Sequence, residues 1–378
     1  MNPGLVEKIA DAVLYEGYIL YPYRPSAVKN QQRWNFGALC PESYSEAQAG
    51  TEACTMQTEC LVQCSSKTTL DVSVRFLHLL SREVREQLAD CQLPIADCGH
   101  LEIPSSTSTS HFSPVPSLEV NGQLFQTWQE AVEREVHLPG LKLVQPGVQS
   151  YSETFSFPQS ETVEALRDEG SGETVGLIVR RQQAIEGTIE LRIADCGSRI
   201  DESAPEALNP KFNRPLKVTV RILNQTPLEN AGQRSRDEAL MRSLVSSHTI
   251  LNVREGEFVS LLDPPEALRG AAAGCSNVGT YPVLVGEEGA GDCMLSSPII
   301  LYDYPQIAPE SIGNLYDGTE IDEILTLRIM TLTDEEKREM RGVDERARQI
   351  LERTETLPME QLMKMHGAMR SVKPKEGQ

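Results

Sequence analysis

Apolar residues recur along the chain at two different periods. Over residues 3–16 the period is helical: Leu5, Ile9 and Val13 fall four apart, and Val6 and Leu14 widen the face. Pro3 suits a first helical turn and Gly17 a C-terminal end. Further on, the period drops to two. Met56, Thr58, Cys60, Val62 and Cys64 share one face, and Leu70, Val72, Val74, Phe76, His78 and Leu80 share another, opposite Asp71, Ser73 and Arg75. Successive side chains of an extended chain point to opposite sides, so both segments are predicted to be half-buried strands. The same pattern predicts strands over 154–157, 175–179, 185–193 and 216–222, with later candidates at 258–262, 283–285 and 299–302.

Near the C-terminus the helical period returns. Thr333 and Glu336 have capping-box spacing, and Met340, Val343, Ala347 and Ile350 fall on one face. Asp344 is a candidate cap for a second helix, a last helix is expected from Met359 to Met369, and residues 323–330 read equally as strand or helix. Many alternating strands, Gly/Pro-rich connections and no crossover helices predict a mainly β fold. The expected form is an antiparallel sandwich or two β units, with an N-terminal helix and a helical C-terminal tail. Three regions follow: residues 1–54 as helix and Tyr/Pro-rich loop, 55–305 as β core, and 306–378 as acidic connector and helical tail. A division of the core is an option near the Ser/Thr/Pro-rich stretch at 100–117, since IADCG occurs at 95–99 and again at 193–197.

Charge narrows the partners. A formal net charge of −20 repels a phosphate backbone, so nucleic-acid binding is not expected. The first apolar stretch is broken by Glu7, Lys8, Asp11 and Glu16, which excludes a signal-peptide core, and no stretch is apolar enough to span a bilayer. Nine cysteines, an odd number, then read as free thiols in a reducing cytoplasm.

Chemistry-bearing residues give weak patterns. Cys60 and Cys64 lie about 13 Å apart on a strand at roughly 3.3 Å per residue, too far to share a metal. They and His78 are therefore expected to be buried packing residues. Cys91, Cys98 and His100 match no standard zinc spacing, and Cys275 and Cys293 could meet as thiols across a hairpin. No nucleophile elbow, zinc-protease, Walker or dinucleotide motif occurs, so no cofactor and no catalytic residue is assigned. The carboxylates Asp303, Asp317, Glu320 and Asp322 form an acidic run without the spacing of a calcium loop. The N-terminal loop gathers Tyr21, Tyr23, Arg24, Lys29, Arg33 and Trp34, residue types enriched at binding hot spots. With the Met340 and Ile350 stripe of the tail, it forms the expected partner surface. Opposite charge further predicts that this loop lies against residues 301–322.

Four blocks carry a resemblance: DAVLYEGYILYPYR (11–24), KNQQRWNFG (29–37), SSPIILYDYPQIAPES (296–311) and GTEIDEILTLRIMTLTDEEKREMR (318–341). Together they resemble an uncharacterised protein family associated with gene clusters of high-affinity uptake [NiFe] hydrogenases in soil bacteria. The blocks cover mainly the two ends of the chain. The resemblance implies a cytoplasmic accessory role, with a hydrogenase subunit or maturation factor as protein partner, and it carries over no catalytic residue. The chain does not itself resemble a hydrogenase subunit, since it contains no CxxC. Two readings stay open. A non-catalytic binding or assembly protein needs a broad aromatic and arginine surface. An enzyme of unrecognised type needs a concave site joining Arg24 or Arg33 to the carboxylates near Asp303.

Overall fold

The computed structural model describes residues 3–15, 18, 26–31, 33–88, 111–143, 147–196, 215–306, 326–343, 345–358 and 360. They fall into two compact units. One takes the described residues of 1–18 and 32–305, and the other those of 19–31 and 306–378. The first is an antiparallel β structure with a helix, α1 (Pro3–Leu14), at its start; the second is helical.

The β unit is organised along one strand, β1 (Thr55–Gln87), which is 33 residues long. The two strands expected at 56–64 and 70–80 are parts of it. Its first part pairs with β10 (Leu216–Asn224), and residues 62–77 pair with β11 (Val245–Phe258). Residues 69–82 pair with β5 (Trp128–Lys142). Beyond them, β8 (Thr174–Gln182) pairs with residues 80–86 and β2 (Phe112–Val115) with 84–87. The neighbours of β1 thus change along its length, and one strand joins what would otherwise be separate sheets. The remaining strands extend this network. β9 (Ile185–Asp195) lies between β10 and β6 (Gln149–Phe157), β7 (Ser160–Arg167) pairs with β8, and β13 (Cys293–Ser297) joins β11 to β12 (Tyr281–Leu284). A separate ribbon pairs β3 (Ser117–Val120) with β4 (Gln123–Gln126).

A bulge lets the partners change. Cys64 pairs with Gly256 and Thr69 with Arg254, so residues 65–68 of β1 stand opposite the single residue Glu255 of β11. The Thr68 hydroxyl donates to the Glu255 carbonyl, and Glu255 takes a left-handed φ of 55°. A Cβ on Gly256 would come within 2.8 Å of Thr68 Cγ2, which explains the glycine. The step from Cys64 to Leu70 is even, so the inward face is kept. Met56, Cys60, Val62, Leu70, Val72 and Phe76 all enter one core. Ile189 and Leu191 of β9, Val218 and Val220 of β10 and Leu251 of β11 pack into the same core. Each such side chain contributes roughly 1.5–3 kcal/mol by leaving water.

Sequence alternation misses β5 and β7, which are rich in Glu, Arg and Ala. Their charges pair across strands instead of marking a helix. Glu130 accepts from Arg82 and from Arg180, each at 2.9 Å, Arg180 also reaches Glu164 at 2.8 Å, and Arg181 pairs with Glu161. Pairing with β1 and β8 overrides local helix propensity here. In the other direction, β11 ends at Phe258 where a strand was expected to 262, and 299–302 forms no strand.

In the helical unit, residues 326–330 are helical, which settles that part of the ambiguous stretch. They lead to α5 (Asp334–Arg341) and α6 (Glu345–Glu355). Thr333 and Glu336 form the expected capping box. The start of the second helix at Asp344 and the helix expected over 359–369 lie outside the described residues, apart from residue 360, as does the first IADCG copy.

Gly187 on β9 tests the packing. A Cβ there would lie 2.5 Å from the Leu223 carbonyl oxygen and 2.6 Å from Phe155 Cζ. Gly187→Ala is expected to lower unfolding free energy by roughly 1–3 kcal/mol in urea titration. An unchanged midpoint would show that β9 and β10 pack less closely than described.

Candidate functional site

Of the expected partner surface, Tyr21, Tyr23 and Arg24 lie outside the described residues, and Lys29 is exposed. Arg33 and Trp34 are 5% and 3% exposed, which corrects their assignment as anchors offered to a partner. Arg33 lies 3.9 Å from the Trp128 ring centroid and 4.6 Å from that of Trp34. Its guanidinium donates to the Tyr18 carbonyl at 2.7 Å and the Gln129 carbonyl at 2.8 Å. A cation between aromatic faces with its N–H groups satisfied is a packing device of the chain itself. Trp34 is held at a left-handed φ of 66°, unusual for a bulky residue, and its indole N–H donates to the Gln129 side chain. In the tail, Met340 is fully buried and Ile350 nearly so, so the apolar stripe faces inward too.

The alternative polar site fares similarly. Asp317, Glu320 and Asp322 lie outside the described residues. The Asp303 carboxylate accepts from the Ser260 hydroxyl at 2.5 Å and the Leu284 N–H at 2.8 Å, an arrangement that ties a loop to β12. The expected apposition of the N-terminal loop and residues 301–322 also rests mostly on residues outside the described set.

Cys60, Cys64 and His78 are buried packing residues, as expected. Burial pushes the Cys60 thiol up strongly and the Cys64 thiol to about 11. Cys275 packs against the cluster around Leu268, whereas Cys293 is buried in β13, and both are free thiols. Among the described residues, no three His, Cys, Asp or Glu side chains converge as a metal site requires. The buried carboxylate of Glu59 is offset differently. Burial raises its pKa, but the Ser276 N–H and Lys217 outweigh this and hold it below the usual carboxylate value.

One site with room for a ligand was not legible in the pattern. It is a cleft of about 560 Å³ beside α3 (Arg236–Leu240). Pro227, Leu228 and Met241 supply its apolar lining, and Arg234, Glu238 and Arg242 supply charge. Ser81, Gln183 and Glu229 complete it. Local chemistry fixes this shape. Asn230 takes a left-handed φ of 54°, and Ser235 with Glu238 forms a capping box that starts α3. Arg234 donates to Glu238 at 2.9 Å and to the Glu229 carbonyl at 3.3 Å. The buried Asn224 side chain donates to the Arg242 carbonyl at 2.9 Å, fixing the backbone under that arginine.

Groups behind the cleft hold its wall. His78 Nε2 donates to the Gln183 carbonyl at 2.9 Å, which sets the tautomer, and the Gln182 amide donates to the His78 carbonyl at 3.2 Å. The Gln129 amide donates to Met241 Sδ at 3.3 Å, so the Arg33 and Trp34 cage supports the cleft through Gln129. The Ser81 hydroxyl donates to the Arg181 carbonyl at 3.4 Å. Hydroxyl and imidazole are thus directed at main-chain carbonyls, and the lining is suited to holding a ligand by contact and charge. No family model and no curated protein matches the chain.

Two expected outcomes follow. Arg33→Ala leaves two buried carbonyls without their donor and empties the aromatic cage. It is expected to cost roughly 2–4 kcal/mol, read as a lowered thermal midpoint; an unchanged midpoint would mean that the cage contributes nothing. The second concerns pH. His78 and His248 are fully buried, and burial pushes each pKa from 6.5 to about 4, with nearby Arg134 and Arg75 respectively adding to it. Between those values the unfolded chain binds protons that the fold excludes. Their contribution is therefore full above about pH 6.5 and declines toward pH 4, by up to about 1.4 kcal/mol per pH unit for each imidazole. Urea midpoints at pH 7, 6 and 5 should fall in that order, and His78→Asn with His248→Asn should flatten the trend. An unaltered slope in the double variant would contradict this.

Proposed function

We propose that the protein is a non-catalytic accessory protein that binds a [NiFe] hydrogenase or its maturation machinery in the cytoplasm. The resemblance of its two ends supplies the system, and the cleft supplies the means. The observation that carries the reading is the make-up of that cleft: apolar Pro227, Leu228 and Met241 line it together with the charged groups Arg234, Glu238 and Arg242. Apolar surface mixed with arginine and carboxylate groups is the composition that protein interfaces use. The Glu229, Arg234 and Glu238 edge is exposed and open to a polypeptide. Free thiols fit a reducing compartment, and the net charge of −20 works against nucleic acid as the partner. No helix among the described residues is long and apolar enough to cross a membrane.

The test is made in the native host. Tagged protein should co-purify with a hydrogenase structural subunit or maturation factor identified by mass spectrometry. Glu229→Arg, which reverses a charge on the exposed edge of the cleft, should weaken that capture at least tenfold without lowering the thermal midpoint. If deletion of the gene leaves hydrogen uptake and hydrogenase assembly intact, the reading fails.

A further inference from the structure

We propose that the cleft is a carboxylate-binding site, with Arg242 as its anchor and an acidic group of a polypeptide as its ligand. This deepens the function proposed above and rests on it. Arg242 carries the charge that a carboxylate would meet. Its guanidinium is half-buried and donates to two neutral oxygens, the Gln183 side chain at 3.1 Å and the Pro227 carbonyl at 3.3 Å. Among the described residues it pairs with no carboxylate. Arg234, a few residues away in the same lining, is neutralised by Glu238 at 2.9 Å. A half-buried cation with no carboxylate paired to it is suited to receiving an anion.

Hydrogen-bond accounting leads to the same conclusion. A guanidinium offers five N–H donors, and these two contacts leave several over. The Gln183 amide has its oxygen engaged by Arg242, and its NH₂ group has no partner among the described residues. The Ser81 hydroxyl makes only a long contact of 3.4 Å. Donors are therefore in surplus around Arg242, and the Glu229 carboxylate in the same lining makes no bond to it among the described residues. The Glu238 carboxylate is already engaged by Arg234 and by both the N–H and the hydroxyl of Ser235. A surplus of donors around a guanidinium is what a carboxylate satisfies.

Charge and shape narrow the ligand. Glu229 and Glu238 stand in the same lining, so a dianion such as phosphate meets more repulsion than a single carboxylate does. Pro227, Leu228 and Met241 give the neighbouring part of the ligand an apolar surface. A volume of about 560 Å³ suits a short piece of polypeptide. The ligand is thus a carboxylate next to an apolar side chain. The carboxylate can be an acidic side chain or a chain terminus, and the chemistry at Arg242 is shared.

The Met241 methyl lies in the cleft and reports occupancy. Full-length protein labelled at methionine methyls is titrated with three capped dipeptides, and Met241→Leu identifies the resonance. One probe ends in a leucine with a free α-carboxylate, one carries leucine followed by an amidated glutamate, and one carries leucine followed by an amidated glutamine. At least one carboxylate probe should shift the Met241 signal saturably at millimolar concentration, and the neutral probe should bind at least tenfold more weakly. The responding probe identifies the source of the carboxylate. Inorganic phosphate should bind more weakly than that probe. Arg242→Gln should abolish the preference while the other methionine signals stay in place. Equal shifts with the neutral probe, tighter binding of phosphate, a preference that survives Arg242→Gln, or no Met241 shift up to roughly 10 mM would overturn the site. The probe comparison on the unaltered chain stands even if the variant does not fold. A Met241 response without capture of any hydrogenase component would uphold the site and remove the accessory reading.

Discussion

The β unit depends on the pairing of one strand along its whole length. β1 would span roughly 100 Å if straight, at about 3.3 Å per residue, and a twisted strand of that length outruns any one sheet. The bulge at residues 65–68 and the register shift after Arg75 let it exchange partners without losing its inward face. Antiparallel pairing therefore continues from β10 to β2 through a single chain segment. Much of β1 is buried on both faces, because strands, loops or helix cover each side in turn. α1 is one such cover. Its Val13 carbonyl accepts from the buried Ser246 hydroxyl at 3.0 Å, and its Asp11 pairs with Arg75 of β1 at 2.7 Å.

This arrangement also creates the cleft. His78 and Ser81 sit on β1 where β11 gives way to β8 as its neighbour. At that transition the chain after β8 turns past Gln183, and the segment before β11 crosses as α3. Partner exchange opens a space that a uniformly paired sheet would fill. The polar groups around it are aligned by hydrogen bonds from behind: His78 holds Gln183, Asn224 holds Arg242, and Gln129 holds Met241. A ligand meets a main chain already fixed at Gln183 and Arg242, which limits the entropy lost on binding.

The sequence made the inward faces legible because β10 alternates strictly and the inward residues of β1 and β9 keep the same two-residue period on one core. The continuity of β1 was hidden by Ser65, Ser66 and Lys67, polar residues that interrupt the alternation between its two halves. β5 and β7 were hidden because their charges are compensated by neighbours far along the chain, as Glu130 is by Arg82 and Arg180. Arg33 and Trp34 were singled out by residue type, but only their contacts separate a buried cage from an exposed anchor. The cleft left no periodic signal, since its lining comes from four separated stretches, around residues 81, 183, 227–229 and 234–242. Nothing local marked Arg242 as a cation without a paired carboxylate.

The central claim is that this protein acts by holding a partner in the cleft beside α3. Hydrogen–deuterium exchange of the tagged complex isolated from the host, compared with the protein alone, addresses it directly. The account predicts slower exchange over residues 227–242 and around Gln183 in the complex, with the interior of β1 unchanged. Protection confined to residues 326–358, with none at the cleft, would contradict it.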